Sequence, residues 1–189
     1  MKELARRIAL GVLAGALAGL LAGGVGGRLF MSLLAALNPE AAGVQSDDDF
    51  TIGQVTLQGT LNLLIITTVL GAVGGLVWVA IRGLRFGPRW WRLVSMPLGV
   101  GAVAGALLVH SDGVDFTLLE PTVLAVALTL AVPMLAATLV SAIGDRWIGS
   151  DQTVWQLLPS AVPWAARAGF AALVLFASNS LVSDLRVLF

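Results

Sequence analysis

Apolar residues run in long blocks separated by short polar segments, and the blocks have the length of membrane-spanning helices. About 20 mostly apolar residues at 1.5 Å rise cross a hydrocarbon core. Residues 8–27, 61–81, 93–109 and 122–143 meet or approach that length. A fifth block, residues 165–183, is weaker, since it starts beside Arg167 and holds Ser178, Asn179, Ser180 and Ser183. Backbone polar groups in lipid must be satisfied within the segment, so the blocks predict helices and not strands. The third block is short and carries Pro97; it is expected to borrow a turn from Trp91 and Arg92. Residues 29–37 still look helical and stop at Asn38-Pro39, because proline disfavours helix in the residue before it. They predict an outer extension of the first span or a helix on the outer surface. The fold expected is an all-α polytopic transmembrane bundle of four to five spans, a single integral membrane domain over residues 1–189. The N-terminus, with Ala14-Gly15-Ala16, superficially resembles a secretory signal, but its apolar run is too glycine-rich and is read as a span.

Charge gives the blocks a direction. Lys2, Arg6 and Arg7 precede the first span, and Arg82, Arg85, Arg89 and Arg92 lie between the second and third. Residues 38–60 and 110–121 hold Glu40, Asp47, Asp48, Asp49, Asp112, Asp115 and Glu120 with no lysine or arginine. Basic residues mark the cytoplasmic side, so the expected topology is a multi-pass protein of the cell membrane with its N-terminus cytoplasmic. Trp78, Trp90, Trp91, Trp147, Trp155 and Trp164 all map to that same side, where indole rings favour the headgroup level.

Small residues form the strongest local pattern. Gly11, Gly15, Gly19, Gly23 and Gly27 recur every fourth residue, with Ala14, Ala18 and Ala22 beside them. Such a face lets another backbone approach, so van der Waals and Cα–H···O contacts replace the hydrophobic drive that lipid removes. Span three offers Gly99, Gly101 and Gly105; span two offers Gly71, Gly74 and Gly75. The pattern specifies tight packing without saying whether the partner lies in the same chain, in a second copy or in a larger complex. Asp49-Phe50-Thr51-Ile52 and Asp115-Phe116-Thr117-Leu118 suggest a two-helix hairpin used twice in parallel, or a chance match.

Composition narrows the chemistry. Of 189 residues, 58% are hydrophobic and 12% charged, with zero net charge. This is half the charge of a soluble domain, which excludes an ordinary soluble protein, a disordered chain and a nucleic-acid binder. Cysteine and tyrosine are absent and histidine occurs once. No nucleophile–base pair or carboxylate pair is evident, so no enzyme and no resident cofactor are expected. His110, Asp112, Asp115, Glu120 and Asp47–Asp49 match no metal-loop spacing and read as a solvated acidic rim, not a metal site. Asp145-Arg146 reads as an interfacial ion pair. Arg28, with Thr60 and Asn62, is a candidate polar site for an anion or a partner carboxylate; the alternative is an arginine reaching to headgroups or pairing with Asp47–Asp49. Arg82, Arg85, Arg89, Trp90, Trp91 and Arg92 read as an anchor to anionic lipid headgroups of the inner leaflet, and residues 147–164, including Leu157-Leu158-Pro159, as a second interfacial piece.

Gly23-Gly24-Val25-Gly26-Gly27-Arg28 and Gly59-Thr60-Leu61-Asn62 are similar to paired elements of the fluoride-channel family. Asn62 follows the leucine directly, the family's phenylalanine and threonine–serine stretches are missing and the chain is longer, so that activity is not carried over. The chain more closely resembles a group of uncharacterised actinobacterial-type multi-pass membrane proteins. The resemblance rests on Gly26-Gly27-Arg28-Leu29-Phe30-Met31, Phe50-Thr51 and Gly59-Thr60-Leu61, with a vaguer match at 115–121. The arginine-over-lysine bias fits a GC-rich source. This implies a membrane location and no activity. The expected function is a non-enzymatic accessory or scaffold subunit, in a homo-oligomer or larger membrane complex and packing through small-residue faces. The alternative is a small ion or solute channel or carrier.

Overall fold

The computed structural model describes residues 2–46, 51–111, 113–149, 155 and 161–189 and, of residues 89, 114 and 115, the backbone alone. Asp47–Asp49, Phe50, Asp112 and Leu157-Leu158-Pro159 lie outside the described residues, as does the Arg89 side chain. Among the described residues, five helices are long and apolar enough to cross a membrane. They are α1 (Lys2–Leu37), α2 (Leu57–Ile81), α3 (Arg89–Leu108), α4 (Thr122–Ile148) and α5 (Ala161–Leu188).

Each helix is longer than, or offset from, its apolar block, and local chemistry explains the ends. Glu3 bonds Arg6 and Arg7 at 3.0–3.2 Å, one turn along the same face, and carries α1 well before residue 8. At its other end α1 runs unbroken to Asn38-Pro39, so residues 29–37 continue the span. Its 36 residues reach about 50 Å at 1.5 Å per residue, well beyond a ~30 Å hydrocarbon core. Thr56 opens α2 by accepting from Gly59 N at 3.0 Å. Gly87, with φ of 84°, turns the chain into α3, which takes in Trp91 and Arg92 as the short third block required. The most apolar 18-residue stretch of the fifth helix matches that of α3 in mean hydropathy, 1.5 in each. Ser178, Asn179, Ser180 and Ser183 therefore do not stop it from qualifying.

Side by side the helices run α2, α1, α4, α3, α5, neighbours α1–α2, α1–α4 and α3–α4 being antiparallel and α3–α5 parallel. Two core clusters form, one at each end of α4. Trp78, Met96, Val140, Ile148 and Ala18 make one; Leu34, Val109, Phe116, Leu119, Val126 and Leu181 belong to the other. Thr51 forms an antiparallel bridge with Gln45, whereas Val114–Thr117 is a helical turn, so Thr51 and Thr117 take different conformations. The two hairpins meet through α1, which packs broadly on α4, while α2 has no comparable contact with α3.

Candidate functional site

The glycine row of α1 faces α2. A Cβ built at Gly15 would lie 2.6 Å from Gly75 Cα and closer still to Gly71 O; at Gly19 it would lie 2.8 Å from Gly71 Cα and closer to Thr67 O. The relation is reciprocal, with Gly71 directed at Gly15 O and Gly75 at Gly11 O. Each of these glycines thus aims an Hα at a carbonyl of the facing helix, the geometry of a Cα–H···O contact. Gly23 meets Thr67, and Gly24 meets Leu64 and Thr67. Gly27 has its nearest neighbour at 3.9 Å and Gly74 has none within 4 Å, so these two are not close-approach positions. In the second hairpin Gly101 meets Met134 and Gly105 meets Leu130 and Leu181, while Gly99 makes an ordinary contact with Val174.

Residues Gly19–Gly26 are π-helical, and this keeps the row aligned. An α-turn holds 3.6 residues, so a four-residue repeat advances about 40° per step. A π-turn, bonded i to i+5, holds more than four, so the same repeat falls back. The drift accumulated from Gly11 to Gly19 is reversed from Gly19 to Gly27, and the glycines stay turned to α2.

Beyond the π segment Arg28 and Asn62 line one cleft of about 720 Å³, and Thr60 is brought to Arg28 without lining the cleft itself. Arg28 Nε and Nη2 donate to Thr60 Oγ1 at 3.0 and 2.9 Å, and Thr60 Oγ1 donates to Thr56 O at 2.8 Å. Gln54, Gln58, Leu57, Leu61 and Ile65 also line it.

The arginine–tryptophan segment is only partly a surface anchor. Trp90, Trp91 and Arg92 are exposed, the two indoles meeting edge to face at 5.8 Å. Arg82 corrects the headgroup reading: it is buried, donates through Nη2 to Gly149 O and lies over the Trp78 ring at 5.3 Å. Arg85 is also drawn inward. It forms a two-pronged pair with Asp145 at 2.5 and 3.1 Å, and its guanidinium lies 5.4 Å from the Trp78 ring. Asp145 is thus paired with Arg85 of the α2–α3 connection instead of with Arg146. Trp78 is 1% exposed, a core residue and not an interfacial one, because Gly144 leaves room for its ring. Trp78 Nε1, Arg82 Nη1 and Ser141 Oγ are buried with no hydrogen-bond partner among the described residues. Asp145 is half exposed, so a double-mutant cycle of Arg85→Met and Asp145→Asn is expected to show coupling of about 1 kcal/mol at most. Larger coupling in detergent unfolding would show that the pair is shielded from water.

Asn38 stops α1 ahead of Pro39 and is also buried. Its Nδ2 donates to Leu34 O and Glu120 O, both at 2.9 Å, and its Oδ1 accepts from Glu120 N at 2.7 Å. One side chain ties the end of α1 to the approach of α4. No pattern in the sequence marks it, since both partners are backbone groups. Among the described residues, no three histidine, aspartate or glutamate side chains gather as a metal site.

No known protein family, curated protein or solved structure matches this chain.

Proposed function

We propose that the protein is a non-enzymatic accessory or scaffold subunit of a membrane complex. We place it in a bacterial inner membrane with its N-terminus cytoplasmic. The observation that carries this reading is the core of α1. The helix is held against α2 by backbone-to-backbone contact and buries Ala14, Ala18 and Ala22 at 0–1% exposure. Such a core is rigid, apolar and poor in groups that could do chemistry. Its close-approach glycines are consumed inside the chain. Contact with a second copy or another subunit therefore falls to large apolar side chains such as Ile65, Val69 and Val73 on α2 or Leu175 and Phe176 on α5. The gathering of Arg82, Arg85 and Arg167 at the end that bears Arg6 and Arg7 supports the orientation, and exposed Trp90, Trp91 and Arg92 support contact with anionic headgroups there. Purification of the tagged protein in mild detergent, followed by native mass measurement, is expected to give an assembly heavier than one chain. Isolated monomer alone would overturn the reading.

The cleft at Arg28 favours a second reading, a small anion channel or carrier. Proteoliposome flux with a panel of ions separates the two. The subunit reading expects no flux above empty vesicles, whereas flux abolished by Arg28→Ala would establish transport.

A further inference from the structure

Helix α5 has one face occupied and one open. Phe170, Val174 and Leu181 face α3, against Gly99 and Gly105. About half a turn round the helix lies a second row, Ala165, Ala168, Ala172, Leu175, Asn179 and Val182, in alternating steps of three and four residues. Every member of this row is exposed. Asn179 is its anomaly. Arg167 and Arg186 bracket the apolar part of α5, about 28 Å apart at 1.5 Å per residue, close to the thickness of a hydrocarbon core. Asn179 lies about 18 Å from the first and about 10 Å from the second, inside that core. Its carboxamide bonds no described residue. Thr68, Thr129 and Thr138, by contrast, each donate to a carbonyl four residues back in their own helix. Water satisfies an exposed amide in a soluble protein, but acyl chains cannot.

We infer that α5 pairs with α5 of a second copy through this row, the two Asn179 side chains bonding each other. A carboxamide carries two donor hydrogens and an acceptor oxygen, so it is complementary to itself. Copies inserted with the same topology are related by an axis along the membrane normal, so their α5 helices run parallel and equal residues meet at equal depth. Steps of three and four residues keep the two rows in register along a left-handed crossing. Ala165, Ala168 and Ala172 let the backbones approach in the inner half, while Leu175 and Val182 enclose the amides. One polar residue in an apolar seam fixes both register and partner number. Arg186 is next in the row, but at the headgroup level, where the two cations can diverge. The inference rests on the subunit reading and deepens it by naming a second copy as the partner.

The chain has no cysteine, so single cysteines report proximity without background. Leu175→Cys and Val182→Cys, one turn to either side of Asn179, are expected to give covalent dimer on mild oxidation in native membranes. Leu173→Cys, 51% exposed but turned away from the row, and Val69→Cys, 57% exposed on α2, should give little. Asn179→Leu should weaken association about tenfold at unchanged helicity, and Asn179→Gln, which keeps the amide, should restore most of it. Cross-linking as strong through Leu173 or Val69, or association indifferent to Asn179→Leu, would overturn the inference. An assembly heavier than one chain with no cross-link through α5 would overturn it too, yet leave the subunit reading standing. Dimer cross-linked through α5 that also shows flux lost in Arg28→Ala would uphold the inference and remove the subunit reading. Monomer alone would remove both.

Discussion

Gly15→Leu is expected to abolish the native packing of α1 on α2. Even the first carbon of the new side chain would lie 2.6 Å from Gly75 Cα and N, and nearer still to Gly71 O. These are backbone atoms of a helix that cannot yield without moving as a whole. Overpacking a core costs about 1–3 kcal/mol where side chains can adjust. Here none can, and the Cα–H···O contact is lost as well, so the cost should exceed about 3 kcal/mol. The measurement is unfolding of the detergent-solubilised protein, followed by helicity and by the fraction aggregated. Gly74→Ala is the matched control. It lies in the facing helix α2, beside Gly75, with nothing within 4 Å of a new Cβ, and should be neutral or slightly stabilising. Equal behaviour of the two variants would mean that the α1–α2 contact is looser than backbone-to-backbone.

The second large effect is expected at Asn38. Asn38→Leu keeps an apolar side chain of similar size in a 1% exposed position but strips the partners from Glu120 N and Glu120 O. A buried polar group left unpaired costs about 1–3 kcal/mol, so a loss of about 3 kcal/mol is expected from the set. Asn38→Asp distinguishes hydrogen bonding from shape. It keeps the acceptor for Glu120 N, loses the Nδ2 donor and places a carboxylate beside carbonyl oxygens, so it should be at least as damaging as leucine near neutral pH. A loss under about 1 kcal/mol for both variants would mean that water replaces the side chain and that the end of α1 is not tied to α4 through this residue.

These effects differ in how far they could be foreseen. The four-residue repeat of glycine is local, so the existence of a close-packing face on α1 is visible in the chain. Its partner is not. Glycines on spans two and three were equally eligible, and the choice of α2 depends on the π segment that holds Gly19 and Gly23 in line with Thr67 and Gly71. Gly74 and Gly27 show the limit of the pattern, since they share the repeat or its neighbourhood yet meet no close backbone. Arg28, Thr60 and Asn62 could be grouped because each stands at the end of a span on the same side. The apolar wall that gives their cleft a shape belongs to the exposed face of α2, which hydropathy alone cannot distinguish from a buried one. The basic segment was misread at Arg82 and Arg85 for a similar reason. Arginine at a span end reads as a headgroup anchor unless a cavity with an acceptor stands opposite, and Gly149 O, Asp145 and the Trp78 ring come from other turns or another helix.

Read alone, the chain shows four helices apolar enough to cross a membrane and a weaker fifth, where small residues line them and which reactive side chains are absent. These follow from composition and from periodicity along one segment at a time. The tertiary structure alone decided that the glycine face of α1 is spent on α2, that Trp78 and Arg82 lie inside, and that Asn38 ties α1 to the start of α4. Each of these depends on the register of one helix against another, and a register is set by contacts between residues tens of positions apart. In lipid, where apolar surface is equally at home facing a neighbour or facing acyl chains, hydrophobicity cannot encode which face turns inward.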